Sequence, residues 1–354
     1  MRMLCSLLAF AASLTAAEIH TIVGTGVKGF SGDGGPAKEA QINNPFGIAR
    51  GPDGALYICD TDNHRIRKVT PDGKIGTVAG TGERGWSGDG GPALQAKLNE
   101  PYEVRFDRAG NVFWVERMSH TVRKLDAKTG LISTVAGSGE LGFGGDGGPA
   151  TAAKMNQPHS IGFDATGDLY ICDILNHRIR KVDMKTGVIS TFSGTGEKKT
   201  APDGSAYAGA PLFGPRALDF DAKGTMWLAL REGNALCRLD LRADTLHHVA
   251  GAGGKPAFTG NGGPAKAAVL GGPKGVSIDA QGRVYFADTE THSVRYFDPA
   301  KDTVEVLAGT GKKGDGPEPD PLQCKMGRPH GVFVDADGSV LIGDSEAHRV
   351  RRVK

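Results

Sequence analysis

Six positions at a near-constant interval carry the side chains with the most chemistry to offer. Each follows a proline: Phe46, Tyr102, His159, Arg216, Lys274 and His330. The prolines, Pro45, Pro101, Pro158, Pro215, Pro273 and Pro329, stand 56, 57, 57, 58 and 56 residues apart. A purely structural position repeats one residue type, whereas this one holds two imidazoles, two cations and two aromatic rings. Brought together they would offer an arginine for an oxyanion, a histidine base and flat apolar faces. The next position adds Glu103 where the other repeats have Gly, Ser or Ala. His159 and His330, three repeats apart, are the candidate ligands for a divalent metal, zinc or calcium. Two imidazoles without a third protein donor make a poor zinc site.

A second series lies fifteen residues beyond each proline: Asp60, Glu116, Asp173, Leu230, Asp288 and Asp344. A recurrent acid there is expected to accept backbone N–H groups in the turn that follows. The departures from the series, Glu116 followed by Arg117 and Leu230 followed by Arg231, are expected to face the same opening and read a ligand. His64, His120, His177, His292 and His348 recur at one repeat position, which argues for turn packing over metal ligation. Arg67, Arg123, Arg180, Arg295 and Arg351 also recur, and are expected to pair with Asp107, Asp164, Asp221, Asp279 and Asp335. Asp33, Asp89, Asp146, Asn261 and Asp315 sit in glycine-rich loops, one carboxylate at most per loop, which favours turn formation over calcium.

The elements that position these residues follow from the period. After each proline comes strand a, then a short apolar strand b such as Leu169-Tyr170-Ile171-Cys172, without polar alternation. Such a strand is covered on both faces. Strand c alternates, as in Arg65-Ile66-Arg67-Lys68-Val69, and strand d is of the Ser133-Thr134-Val135-Ala136-Gly137 type. Four antiparallel strands per repeat, six times, describe an all-β six-bladed propeller. The last repeat ends after strand c, and His20–Gly26 reads as a strand d without preceding partners. The N-terminal strand is therefore expected to complete the C-terminal blade and close the ring. Strand a lines the channel, so the six post-proline residues should meet at its mouth. The long d-to-a loops should share that face, and long loops on a rigid scaffold usually carry the binding surface.

Composition bounds the rest. The chain has 354 residues, 54 of them glycine, and a formal net charge of +2. Bulk charge therefore does not suit a polyanion, and nucleic acid is not an expected partner. Residues 1–17 have the layout of a secretory signal peptide: Arg2, an apolar run from Leu4 to Leu14, then Thr15-Ala16-Ala17. The propeller is read over 18–354, the location as secreted or periplasmic, with no membrane span and a monomeric state. Of the later cysteines, Cys59 and Cys172 are two blades apart, too far to bridge. Cys237 replaces an arginine of the strand-c series and is expected to be buried, and Cys324 has no evident partner.

The run Asp60-Thr61-Asp62-Asn63-His64-Arg65-Ile66-Arg67-Lys68-Val69 resembles the NHL repeat, and Asn176-His177-Arg178-Ile179 follows it closely. Ser119-His120, Thr291-His292 and Ala347-His348 keep the histidine, while Glu232-Gly233-Asn234-Ala235 departs. Ser87-Gly88-Asp89-Gly90-Gly91-Pro92-Ala93 is similar to loops of bacterial secreted NHL proteins and of teneurin-type NHL domains. The resemblance implies a binding or interaction module acting through its top face and channel mouth on a peptide, glycan, small molecule or protein. More distant resemblance to amidating-lyase and gluconolactonase-type propellers implies the alternative, a metal-dependent lyase or hydrolase at the same mouth. Pro158-His159 and Pro329-His330 match the lyase Pro-His step, and the third histidine of that pattern is missing. The expected ligand-binding set is Phe46, Tyr102, Glu103, Glu116, Arg117, His159, Arg216, Arg231, Lys274 and His330.

Overall fold

The computed structural model describes residues 16–354, so most of the leader read over 1–17 lies outside the described residues. Six four-stranded antiparallel sheets form the chain, each consecutive in sequence except the last. That sheet takes strands Pro329–Val334, Val340–Asp344 and Arg349–Val353, and its fourth member is Ile19–Val23. Ile19 pairs with Val353 and Thr21 with Arg351. Backbone bonds of 2.8 and 2.9 Å between Glu18 and Lys354 extend the seam. The ring is closed as the repeat pattern predicts.

Every strand b is buried along its full length, which accounts for its lack of polar alternation. One face of each meets the preceding blade and the other the next. The apolar core accordingly divides into six clusters, one at each blade interface. Trp114 packs between blades one and two, Phe286 between blades four and five. Cys59, Cys172, Cys237 and Cys324 are all buried free thiols.

The innermost strands are Pro45–Arg50, Pro101–Phe106, Pro158–Phe163, Pro215–Phe220, Pro273–Ile278 and Pro329–Val334. On three of them the second residue after proline is omitted from any side-chain layer: Gly47, Gly275 and Gly331. A Cβ at Gly331 would lie 2.0 Å from the Phe46 carbonyl oxygen, and one at Gly47 would lie 2.5 Å from Glu103 Cα. Glycine lets these channel strands approach closely, so the channel is narrow on that side. Ser160, Ala217 and Glu103 occupy the same position in the other three strands.

Candidate functional site

The mouth is built by a local device that repeats in every blade. The residue before each proline has a left-handed backbone: Asn44, Glu100, Gln157, Gly214, Gly272 and Arg328, with φ between 51 and 75°. Immediately after the proline the a–b register shifts, leaving the next residue in a β-bulge. A bulge re-aims a side chain, and here it turns six of them toward the axis.

Two recurrent residues hold that device, which gives the acid and histidine series their purpose. The acid ending strand b accepts the N–H two residues before the proline: Asn43 to Asp60 at 2.7 Å, Asn156 to Asp173 at 2.7 Å, Gly327 to Asp344 at 2.7 Å. The turn histidine accepts the next N–H from the following blade: Glu100 to His64 Nδ1 at 3.3 Å, Gln157 to His120 at 3.1 Å, Gly214 to His177 at 3.1 Å. Where the fourth blade lacks histidine, Asn234 Oδ1 accepts the Gly272 N–H at 2.8 Å in its place. The acids thus serve the d-to-a loop as well as the expected b–c turn, which they hold through side-chain donors, Asn63 to Asp60 at 2.9 Å and Asn176 to Asp173 at 2.8 Å, in place of backbone N–H groups.

Three expectations change here. The strand-c arginines do not pair with the strand-a aspartates. Arg67 lies 3.2 Å from Asp60 and 2.6 Å from Asp33, and Arg123 lies 3.1 Å from Glu116 and 2.6 Å from Asp89. The strand-a aspartates instead close their own turns, Asp107 accepting the Ala109 and Asn111 N–H groups at 2.9 Å. Glu116, taken as a mouth residue, is fully buried and engaged by Arg123, Trp114 and the Asn99 N–H, away from the channel lining. Leu230 does not face the mouth either. It packs in the core between blades three and four, in the same cluster as Cys237. The acid–arginine pair of the other blades has become an apolar pair in blade four, so neither charge is left buried alone.

The post-proline residues do converge. Phe46 stacks on His330 with ring centroids 4.2 Å apart and meets Tyr102 at 4.4 Å. Tyr102 meets His159 edge-on at 4.6 Å. Arg216 lies over the Tyr102 ring at 4.4 Å and donates a hydrogen bond to its hydroxyl. Lys274 Nζ lies 3.0 Å from His330 Nε2 and 3.3 Å from a Glu290 carboxylate oxygen. Tyr102, His159, Arg216, Lys274 and His330 are only 4–8% exposed. Phe46, Tyr102, Arg216, Lys274 and His330 cap a cavity of about 20 Å³ lined also by Glu103, Arg105 and the channel glycines, room for a water or two.

The electrostatics are set by burial among cations. His159 and His330 are held well below the ordinary imidazole value by burial, then by Arg216 and Lys274 respectively. Both are neutral. His330 Nδ1 lies 3.0 Å from the Arg328 carbonyl, which fixes the proton on Nδ1 and leaves Nε2 to accept from Lys274. Burial, followed by the Arg216 charge, brings the Lys274 ammonium down to about 6. Glu103 rises to about 7 by burial against the pull of Arg105, whose guanidinium is 2.6 Å away.

These residues do not fit a divalent metal. Tyr102 stands between the two imidazoles, a lysine occupies the free nitrogen of His330, and Arg216 repels a cation. Among the described residues no three His, Cys, Asp or Glu side chains gather as metal donors. Arg117 and Arg231 sit at the rim, bonded to Glu100 at 2.8 Å and Glu232 at 2.6 Å. The sequence reading missed Arg105, Asp219, Glu290 and Arg328. Arg105 and Asp219 hold one repeat position, four after the proline, with opposite charges two blades apart, and that signal was available.

Comparison with known proteins bears on the whole ring. Residues 43–69 and 326–353 match the NHL repeat family. The chain is 26% identical over 290 residues to the Arabidopsis thaliana protein Suppressor of Quenching 1, chloroplastic, covering 78% of this chain and 27% of that protein. It is 25% identical over 326 residues to the Bos taurus NHL repeat-containing protein 2, covering 84% of this chain and 44% of that protein. The chain therefore spans less than half the length of these curated relatives. An auxiliary nutrient binding protein from Bacteroides thetaiotaomicron shares the fold with a TM-score of 0.69 and 15% identity, over 96% of this chain and 76% of that one. With its repeat period, its six closed sheets and these matches, the chain is an NHL-repeat six-bladed β-propeller.

Proposed function

We propose that the chain is a recognition module whose channel mouth takes the anionic group of a small ligand. One observation carries the reading. Arg216 is 4% exposed, and its hydrogen bond among the described residues goes to a phenol, with no carboxylate. The Glu103 carboxylate acts on Arg216 only through space, being ion-paired with Arg105 at 2.6 Å, and a buried guanidinium without a bonded carboxylate is costly. The neighbouring cations have acidic partners: Arg117 has Glu100, Arg231 has Glu232, and Arg328 has Glu290 and Glu346. Arg216 thus lacks a directly bonded carboxylate, and an anionic ligand would supply one. Phe46, which is half-buried, and His330 add flat faces for the apolar part of such a ligand.

The fold shared with a nutrient binding protein is in keeping with a binding role. The leader read over residues 1–17 supports a secreted or periplasmic location, and no helix among the described residues is long and apolar enough to cross a membrane. The test is titration calorimetry on the purified protein with galacturonate, gluconate and lactate beside neutral galactose. Acids should bind, galactose should not, and Arg216→Ala should remove the binding. Acid binding that survives Arg216→Ala would place the site elsewhere.

A further inference from the structure

The mouth holds one group that simple anion binding does not use, the Lys274 amine. Resting on the anion-binding reading above, we infer that the mouth takes a 2-oxo acid, Arg216 binding its carboxylate and Lys274 forming an imine with its adjacent carbonyl carbon. The two cations line the same cavity, which has room only for water while Tyr102 is in place and would admit one compact ligand to both once that ring moves. A carboxylate with an adjacent carbonyl offers an anion to the guanidinium and an electrophilic carbon to the amine.

The surroundings of the amine favour a nucleophile over a plain counter-ion. Lys274 is 5% exposed and lies among three guanidiniums, those of Arg216, Arg231 and Arg328, each of which disfavours an added positive charge. Its one carboxylate, Glu290 at 3.3 Å, is drawn to Arg328 at 2.6 Å. Desolvation among cations is a recognised route to a reactive lysine. His330 Nε2, at 3.0 Å, directs its lone pair at the amine because its other nitrogen donates to the Arg328 carbonyl.

The step balances within these groups and the ligand. The Lys274 nitrogen attacks the carbonyl carbon, a C–N bond forms, and the carbonyl π pair moves to oxygen. His330 Nε2 carries the two amine protons to the oxygen in turn, the first converting the alkoxide to a hydroxyl and the second releasing it as water while the nitrogen lone pair closes the C=N bond. The product is the imine, one water having been released and no redox partner being needed. The Tyr102 hydroxyl marks the place on Arg216 that the carboxylate would take, so Tyr102 must swing aside as the ligand enters.

The experiment incubates the full chain with pyruvate or glyoxylate and sodium cyanoborohydride at neutral pH, and maps adducts by peptide mass spectrometry. Lactate, which has no carbonyl, is titrated calorimetrically in parallel. A reduced adduct at Lys274, at least about ten-fold above any surface lysine and absent from Lys274→Met, is expected. Lys274→Arg, which keeps the charge, should also lose the adduct, and thermal melts confirm that both variants fold. Adducts spread over surface lysines, or unchanged in Lys274→Met, overturn the imine. Lactate binding that depends on Arg216 with no adduct at Lys274 overturns the imine and leaves the anion site standing. Absence of both overturns the two readings together.

Discussion

Arg216 in blade four reaches across the axis to hydrogen-bond the Tyr102 hydroxyl in blade two, passing the intervening His159. The phenol is a neutral partner for a buried cation, and it occupies the place an anion would take. Tyr102→Phe should therefore tighten binding of a carboxylate ligand while costing about 1 kcal/mol of stability. Calorimetric affinity and chemical denaturation read the two effects separately. Weaker binding in Tyr102→Phe would mean that the hydroxyl contacts the ligand itself.

Asp60 and Arg67 form a fully buried pair, and blade four carries Leu230 and Cys237 at the same two places. Removing one partner leaves a charge stranded. Asp60→Ala is expected to cost about 3–5 kcal/mol. Asp60→Leu combined with Arg67→Cys, which copies blade four into blade one, should recover about 2 kcal/mol or more of that loss. Urea unfolding of the three proteins decides it, and a double variant less stable than Asp60→Ala would sink the equivalence.

His177 sits at φ 51° and accepts the Gly214 N–H of the next blade. Asn234 does the same work one blade on, and asparagine tolerates the left-handed region well. His177→Asn should be near neutral at pH 7, whereas His177→Ala should cost about 1–2 kcal/mol. Burial lowers the His177 value below the usual 6.5. Between the lowered value and 6.5 the unfolded chain holds the extra proton, so the contribution of His177 is lost as pH falls through that window. His177→Asn should show less acid destabilisation than the native protein, by denaturation at pH 7 and pH 5. An identical loss in both would exclude the histidine as a source.

Lys274 contributes with the same sign over a wider window at higher pH. Its ammonium value falls from 10.5 to about 6 in the folded chain, with Arg216, Arg231, Arg328, Glu290 and His330 facing it. Between these values the unfolded chain binds a proton that the folded chain does not. Stability then rises with pH across the window, by up to about 1.4 kcal/mol per unit for this group. Lys274→Met should be more stable than the native protein at pH 7, with the gain shrinking toward pH 10. A gain independent of pH would show that the amine stays charged in the fold.

The blade number, the strand order and the closing strand were legible in the residues alone. A period of 56–58 residues with apolar strand-b runs admits one way of burying both faces of each strand. The post-proline set was legible for a related reason: a repeated bulge sends each copy to the same place, so variety at that position stands out. Partner choice was not legible. Each strand-c arginine had three periodic acid series to choose from, and the fold put the loop and strand-b acids within reach, Asp33 and Asp60 for Arg67. Leu230 and Glu116 look alike as exceptions in a list of acids, yet both lie in the core, because the position points between blades and away from the axis. The contact between Tyr102 and Arg216 depends on a channel narrow enough for long side chains to span it. Only the closed ring, drawn tight where Gly47, Gly275 and Gly331 admit neighbouring backbones, creates that width.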